Sequence, residues 1–188
     1  MNSQNTSIEA IPANSSIIKV RLQELNKLFD LMDPAPPYKQ DLHPNVAEHI
    51  VESARELPAK ALLALVLHVD QAAPLARSDH AVSDATRAYF AHRSTQVQRK
   101  LRLHLRRGVI SLIIGLAFLA TTLTTSQLLG VGGFATTLRH SLEIGGWVAL
   151  WRPMEMFLYD WWPILGDKIL YRRLARMPVQ IKYSANNR

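Results

Sequence analysis

Arg152, Pro153 and Glu155 stand inside an otherwise apolar stretch, SLEIGGWVALWRPMEMFLYDWW, residues 141–162. Arg152 and Glu155 are three apart, so on a helix they share a face and can form an ion pair. Pro153 has no N–H to donate and frees the carbonyl one turn back, that of Ala149. A freed carbonyl beside a charge pair can hold an ion or a polar group, as the broken helices of transporters do. The competing reading is structural: the pair satisfies itself and locks subunits or a helical hairpin together. Charges within a membrane span cost about 3 kcal/mol each on insertion scales, so they face protein or water. Depth bears on both readings. A span starting near Leu142 puts Arg152 close to the midplane; one starting near Leu150 leaves it superficial and able to snorkel. Glu143 and Asp160 sit toward the ends of the stretch. Trp161 and Trp162 mark its exit, because indoles favour the membrane–water boundary.

The elements that position this stretch include a second apolar segment. Val109–Leu129 carries no charge over about 21 residues, the length a hydrocarbon core requires. Ser111, Gly115, Thr122, Thr125 and Ser126 fall within an arc of roughly 100° on a helix. Small and hydroxyl residues on one face let helices approach closely in lipid, with hydroxyls bonding across. The alternative is that the hydroxyls return bonds to their own backbone.

Charge divides the chain. Residues 1–92 hold eight basic and eleven acidic residues, a net of −3, and residues 93–188 hold fourteen and four, a net of +10. Arg99, Arg102, Arg106 and Arg107 precede the first apolar segment, and Arg172 and Arg173 follow the second. Beside a span, such clusters attract anionic headgroups, at about 1 kcal/mol per residue. Aromatic residues suited to base stacking are absent from residues 93–107, so a lipid bilayer is the expected partner and nucleic acid is not. Basic clusters flank both segments, and the connector between them has only Arg139, with His140 beside it. The positive-inside rule then places both termini in the cytoplasm.

Upstream, Ile18, Val20 and Leu22 alternate with Lys19, Arg21 and Gln23, which predicts a half-buried strand. HPNVAEHIVESARELP predicts a helix opened by Pro44 and closed by Pro58, and ALLALVLHVD a buried strand. Ser78–Arg107 reads as one helix, with Ser78 or Asp79 capping it and Ala81, Ala85, Ala88, Tyr89 and His92 toward the small domain. Asp30, Asp33 and Asp41 around DPAPPY are cation candidates but read better as solvated turn residues. The chain has no cysteine, which excludes disulfides and thiolate chemistry. No catalytic constellation, metal site or cofactor fingerprint is evident, and the glycines of GVGGF follow no strand, so they form no phosphate loop.

The strings EIGGWVALWRPMEMFLYDWWPI, LYRRLARMPV, VRLQELNKLFDLMDPAP and VAEHIVESAREL resemble a group of uncharacterised bacterial two-span inner-membrane proteins with an N-terminal cytoplasmic domain. The most specific piece is Trp151–Pro163, and the likeness runs over most of the chain from Ile17. It implies a location and an architecture, and no activity.

The expected fold is a membrane α-helical hairpin of two transmembrane helices, with a small cytoplasmic α/β domain (strand-helix-strand) and a long connecting helix. The expected divisions are a flexible tail (1–15), the α/β domain (16–78), a basic connecting helix (79–107), a first transmembrane helix (108–130), an external loop (131–140), a second transmembrane helix (141–162) and a basic amphipathic tail along the headgroups (163–188). The expected location is a bacterial inner membrane, multi-pass. The expected function is non-enzymatic: a membrane-anchored assembly or regulatory module, homo-oligomeric or bound to a partner membrane protein. The alternative is a small oligomeric channel or transport component lined by the second span.

Overall fold

The computed structural model describes residues 11–12, 14–30, 41–70, 79–128 and 132–184. The proline turn at Asp33, the cap at Ser78 and most of the expected tail over 1–15 lie outside them. Two compact units divide the chain: one gathers everything up to Thr95 with everything from Lys168, and the other is Gln96–Asp167.

The first unit is built on a three-stranded, fully parallel sheet in the order β1-β2-β3. Strand β1 (Ser15–Leu22) buries Ile18, Val20 and Leu22 and exposes Lys19 and Arg21, as an edge strand with one covered face does. Strand β2 (Leu62–Val69) is central and buries both faces from Leu63 to Leu67, so its sequence is a continuous apolar run rather than an alternation. Strand β3 (Val179–Tyr183) pairs along its other edge. The register lines up Ile18, Leu65 and Val179, then Val20, Leu67 and Ile181, on one face. Helix α1 (Pro44–Glu56) packs there through Ala47, Ile50, Val51 and Ala54.

Two longer helices complete this core. Helix α2 (Asp79–Leu128) contributes Val82, Ala85 and Phe90, and helix α4 (Trp161–Leu174) contributes Leu170 and Leu174. Phe90 stacks on Tyr171 at 6.4 Å between centroids. The seam of α2 runs through Val82, Thr86 and Phe90, all fully buried, while Ala81, Ala88 and His92 are exposed. The bulkier side chains win the core, and Thr86 joins them because its hydroxyl donates to the Val82 carbonyl at 2.8 Å, hiding its polarity.

Beyond Trp162 the observed structure departs from the expected headgroup tail. Leu170 and Leu174 face the protein core, Arg173 donates to the carbonyls of Pro58 and Ala61, and Val179–Tyr183 is a strand of the sheet. An unpaired second edge on an apolar central strand is a template for aggregation, and β3 covers it. The domain expected to close at 78 is therefore completed from the other end of the chain.

In the second unit α2 continues through Gly108 without a break. Helix α3 (Gly133–Glu155) already begins within the segment expected as an external loop, so Arg139 and His140 are helical. Nothing after Gly133 breaks a helix before Pro153, and the hydroxyls of Thr136 and Thr137 bond back to the carbonyls of Gly132 and Gly133. A π-helical turn, Met156–Asp160, joins α3 to α4. Among the described residues one helix, α2, is long and apolar enough to cross a membrane.

Candidate functional site

The site lies within the second unit, where α2 and α3 meet along a seam of small residues. A Cβ placed on Gly115 would lie 3.1 Å from the Ala149 carbonyl oxygen and 3.1 Å from Leu150 Cδ2. One on Gly108 would meet the Phe157 ring at 3.3 Å, and one on Gly146 would meet Leu119 Cδ1 at 2.6 Å and Thr122 Oγ1 at 2.9 Å. Within this unit the buried positions among the described residues are Gly108, Gly115 and Thr122 on α2, at heptad spacing, and Gly146, Leu150 and Pro153 on α3. That 3.5-residue repeat keeps two helices in contact over several turns.

The expected packing residues sort along this seam. Gly115 and Thr122 are buried, Ser111 is half-buried and Thr125 is exposed; the side chain of Ser126 lies outside the described residues. Thr122 packs against Gly146, yet its hydroxyl donates to its own helix, to Leu119 O at 2.8 Å. Thr121 and Thr124 likewise bond back to Ala117 and Ala120. Small size, rather than hydroxyl bonding across the seam, accounts for the close approach. Gly108 and Gly146 were not among the expected packing residues. The repeat Gly108–Gly115–Thr122 was a readable signal for the first. For Gly146, only the tertiary contact separates it from Gly145, which has open space beside it.

Pro153 is buried on the seam side, and the carbonyl it leaves without a helical donor, that of Ala149, faces Gly115. The carbonyl lies against Gly115 of the packed neighbouring helix. After Glu155 the π turn shifts the hydrogen-bond register by one residue. The Trp161 indole N–H caps one carbonyl of that segment, Phe157 O, at 2.8 Å. Trp161 is thus half-buried and bonded, while Trp162 is 62% exposed.

Arg152 and Glu155 form the pair their spacing allows: Arg152 Nη1 donates to Glu155 Oε2 at 2.8 Å. The pair lies on an exposed surface of α3, with side chains 64% and 44% exposed. The contacts Gly108–Phe157 and Gly115–Ala149 set the register. Interpolation puts Arg152 level with about Leu112 and Glu155 with about Ile110, which is ~8 Å and ~5 Å of helix rise beyond Arg107. Arg152 reaches toward Glu155, in the direction of that basic end. Exposed apolar side chains occur on both helices: Val109, Ile110, Ile113 and Ile114 on α2, and Ile144, Trp147, Val148 and Trp151 on α3.

A second polar contact has no signal in the sequence spacing. His104 Nε2 lies 3.6 Å from Asp160 Oδ2, beyond hydrogen-bond range, and that nitrogen is buried without a partner among the described residues. Both side chains are largely covered, and Asp160, at the end of the apolar stretch, faces the neighbouring helix. Glu143 lies 3.5 Å from His140 on its own helix. Arg99, Arg102, Arg106, Arg107 and Arg172 are exposed, whereas Arg173 is half-buried and bonded to the domain. Among the described residues no three His, Asp or Glu side chains converge on a metal position. Comparison with protein-family models, curated proteins and solved structures finds no match to this chain.

Proposed function

We propose that the chain is a two-span, non-enzymatic membrane module of a bacterial inner membrane, with both termini in the cytoplasm, whose sheet domain docks a partner. The observation that carries this is the sheet topology. Strands β1 and β2 precede the Gln96–Asp167 unit and β3 follows it, yet all three pair in one sheet. A sheet cannot be divided by a bilayer. If α2 crosses, the chain must cross back before Val179, and α3 is the segment available. The exposed apolar side chains on both helices fit lipid contact. The basic clusters set the cytoplasmic side.

The module reading is favoured over conduction by the position of the charges. Arg152 and Glu155 satisfy each other on the outside, near the basic end, where an arginine can snorkel. The hairpin seam itself is closed by Gly115, Gly146, Leu150 and Thr122. Homo-oligomerisation remains part of the proposal, because an exposed ion pair on a lipid-facing helix gains shelter from another protein surface.

The chain has no cysteine, so single-cysteine labelling needs no background removal. In intact cells an impermeant maleimide is expected to label Thr137→Cys, and to label Lys19→Cys and Lys182→Cys only after lysis. Reaction of Lys19→Cys and Lys182→Cys on opposite sides would overturn the two-span reading. In proteoliposomes, wild type and Glu155→Gln are expected to be equally impermeable to ions and protons. A flux that Glu155→Gln changes would move the function into the membrane, to a channel lined by α3.

A further inference from the structure

We infer that the sheet domain carries a binding site for a phosphate-class anion with an apolar substituent, at the end of the sheet where the three parallel strands begin. A cavity of about 470 Å³ lies there, lined by Leu62, Leu63, Met177 and Pro178 on its apolar side and by Lys60, Arg173 and Arg176 as its charged groups. No carboxylate lines it, and among the described residues none of the three cations has an ion-pair partner. Three cations around one concave apolar floor, with no carboxylate in its lining, raise the local potential and select an anion that also has something to bury.

Arg173 gives the site its preorganisation. Its Nη2 donates to the Pro58 carbonyl at 3.0 Å and the Ala61 carbonyl at 2.6 Å, so the guanidinium is held in place by the turn before β2. A guanidinium has five donors in a planar fork, and the two bonds to carbonyls leave Nε–H and Nη1–H₂. Those donors suit the oxygens of a phosphate, which an arginine binds in bidentate fashion. Lys60 and Arg176 are exposed and free to close on the same anion. Ser15, also in the wall, has an Oγ that is closed to solvent and has no hydrogen-bond partner among the described residues. An anion oxygen in the cavity is the partner that this hydroxyl would take. The site is at the opposite end of the strands from the crevice that open α/β sheets use, and the strand order 1-2-3 has no reversal to form such a crevice. The ligand is therefore held by side chains rather than by a glycine-rich turn.

The shared chemistry can come from a soluble phosphate monoester or from a phospholipid headgroup, and the test separates them. The full chain in nanodiscs of zwitterionic lipid is titrated by calorimetry with inorganic phosphate and with phenyl phosphate. In a parallel arm the nanodiscs contain phosphatidic acid. Saturable binding of phenyl phosphate, tighter than inorganic phosphate, identifies a soluble ligand. Stabilisation of the sheet domain by phosphatidic acid alone identifies the headgroup. In either case the Lys60→Gln/Arg176→Gln variant is expected to weaken binding by tenfold or more, on the order of one lost charge-assisted bond per residue. Both side chains are exposed, so the unliganded variant should melt with the wild type. Ser15→Ala should weaken binding while raising the melting temperature of the unliganded chain, a combination that a purely structural serine would not give. Binding in neither arm, or binding unchanged in the Lys60→Gln/Arg176→Gln variant, would overturn the inference. The labelling outcome for the spans does not enter this readout.

Discussion

Gly145 and Gly146 are adjacent residues of one helix, and the structure predicts opposite responses to alanine. A Cβ at Gly145 meets nothing within 4 Å. A Cβ at Gly146 would lie 2.6 Å from Leu119 Cδ1 and 2.9 Å from Thr122 Oγ1. Carbon atoms rest at about 3.5–4.0 Å, so the first contact is short by ~1 Å. Leu119 can swing its Cδ1 aside, but Thr122 is tied by its bond to Leu119 O and yields only by breaking it. Relief therefore requires the helices to part. Overpacking of this kind costs about 1–3 kcal/mol. Replacing glycine by alanine in a helix gains about 1 kcal/mol at either position, and this gain cancels in the comparison. The two variants should thus differ by about 1–3 kcal/mol, with Gly145→Ala at or above wild type and Gly146→Ala below Gly145→Ala. Thermal melts followed by tryptophan fluorescence are suited to this, since Trp147 and Trp151 lie on the same helix. Each kcal/mol moves Tm by roughly 2–4 °C in a chain of this size. Equal shifts, or Gly146→Ala the more stable, would refute the α2–α3 register derived above.

Two other predictions concern the sheet domain. Tyr183 donates from its hydroxyl to Asp79 Oδ1 at 2.9 Å, and burial first, then this bond and the carboxylate charge, push its pKa up to about 12. The folded value lies above the ordinary 10.0, so the stability it contributes is complete below pH 10 and is lost as pH rises through 12. Tyrosinate absorbance should show one late-ionising group, and Tyr183→Phe should remove that group and flatten the alkaline fall in stability. Truncation before Val179 strips the second edge from β2. The truncated chain should lose cooperative unfolding of the sheet domain and aggregate, as read by circular dichroism and size-exclusion chromatography, whereas truncation after Ser184 should leave both unchanged.

Elements whose signal is local can be read directly from the residue order. The alternation of Ile18, Val20 and Leu22, the proline-opened helix at Pro44, the apolar run of β2 and the uncharged stretch from Val109 each follow from spacing along the chain. So does the Arg152–Glu155 bond, because residues three apart on a helix are neighbours whatever surrounds them. Tertiary structure decided what depends on residues far apart in sequence. Val179, Ile181 and Tyr183 alternate as a strand should, but five residues after a basic helix carry no sign of which edge they will pair with. Leu170 and Leu174 have the same amphipathic spacing whether they face headgroups or a protein core; only Phe90 and the sheet settle the choice. Gly146 and Gly145 are identical in propensity and differ only in what stands opposite. The level of Arg152 along α2 likewise comes from the pairing of Gly115 with Ala149. Periodicity names the face a helix must bury, and the partner that buries it is fixed by shape and register between segments the chain brings together only on folding.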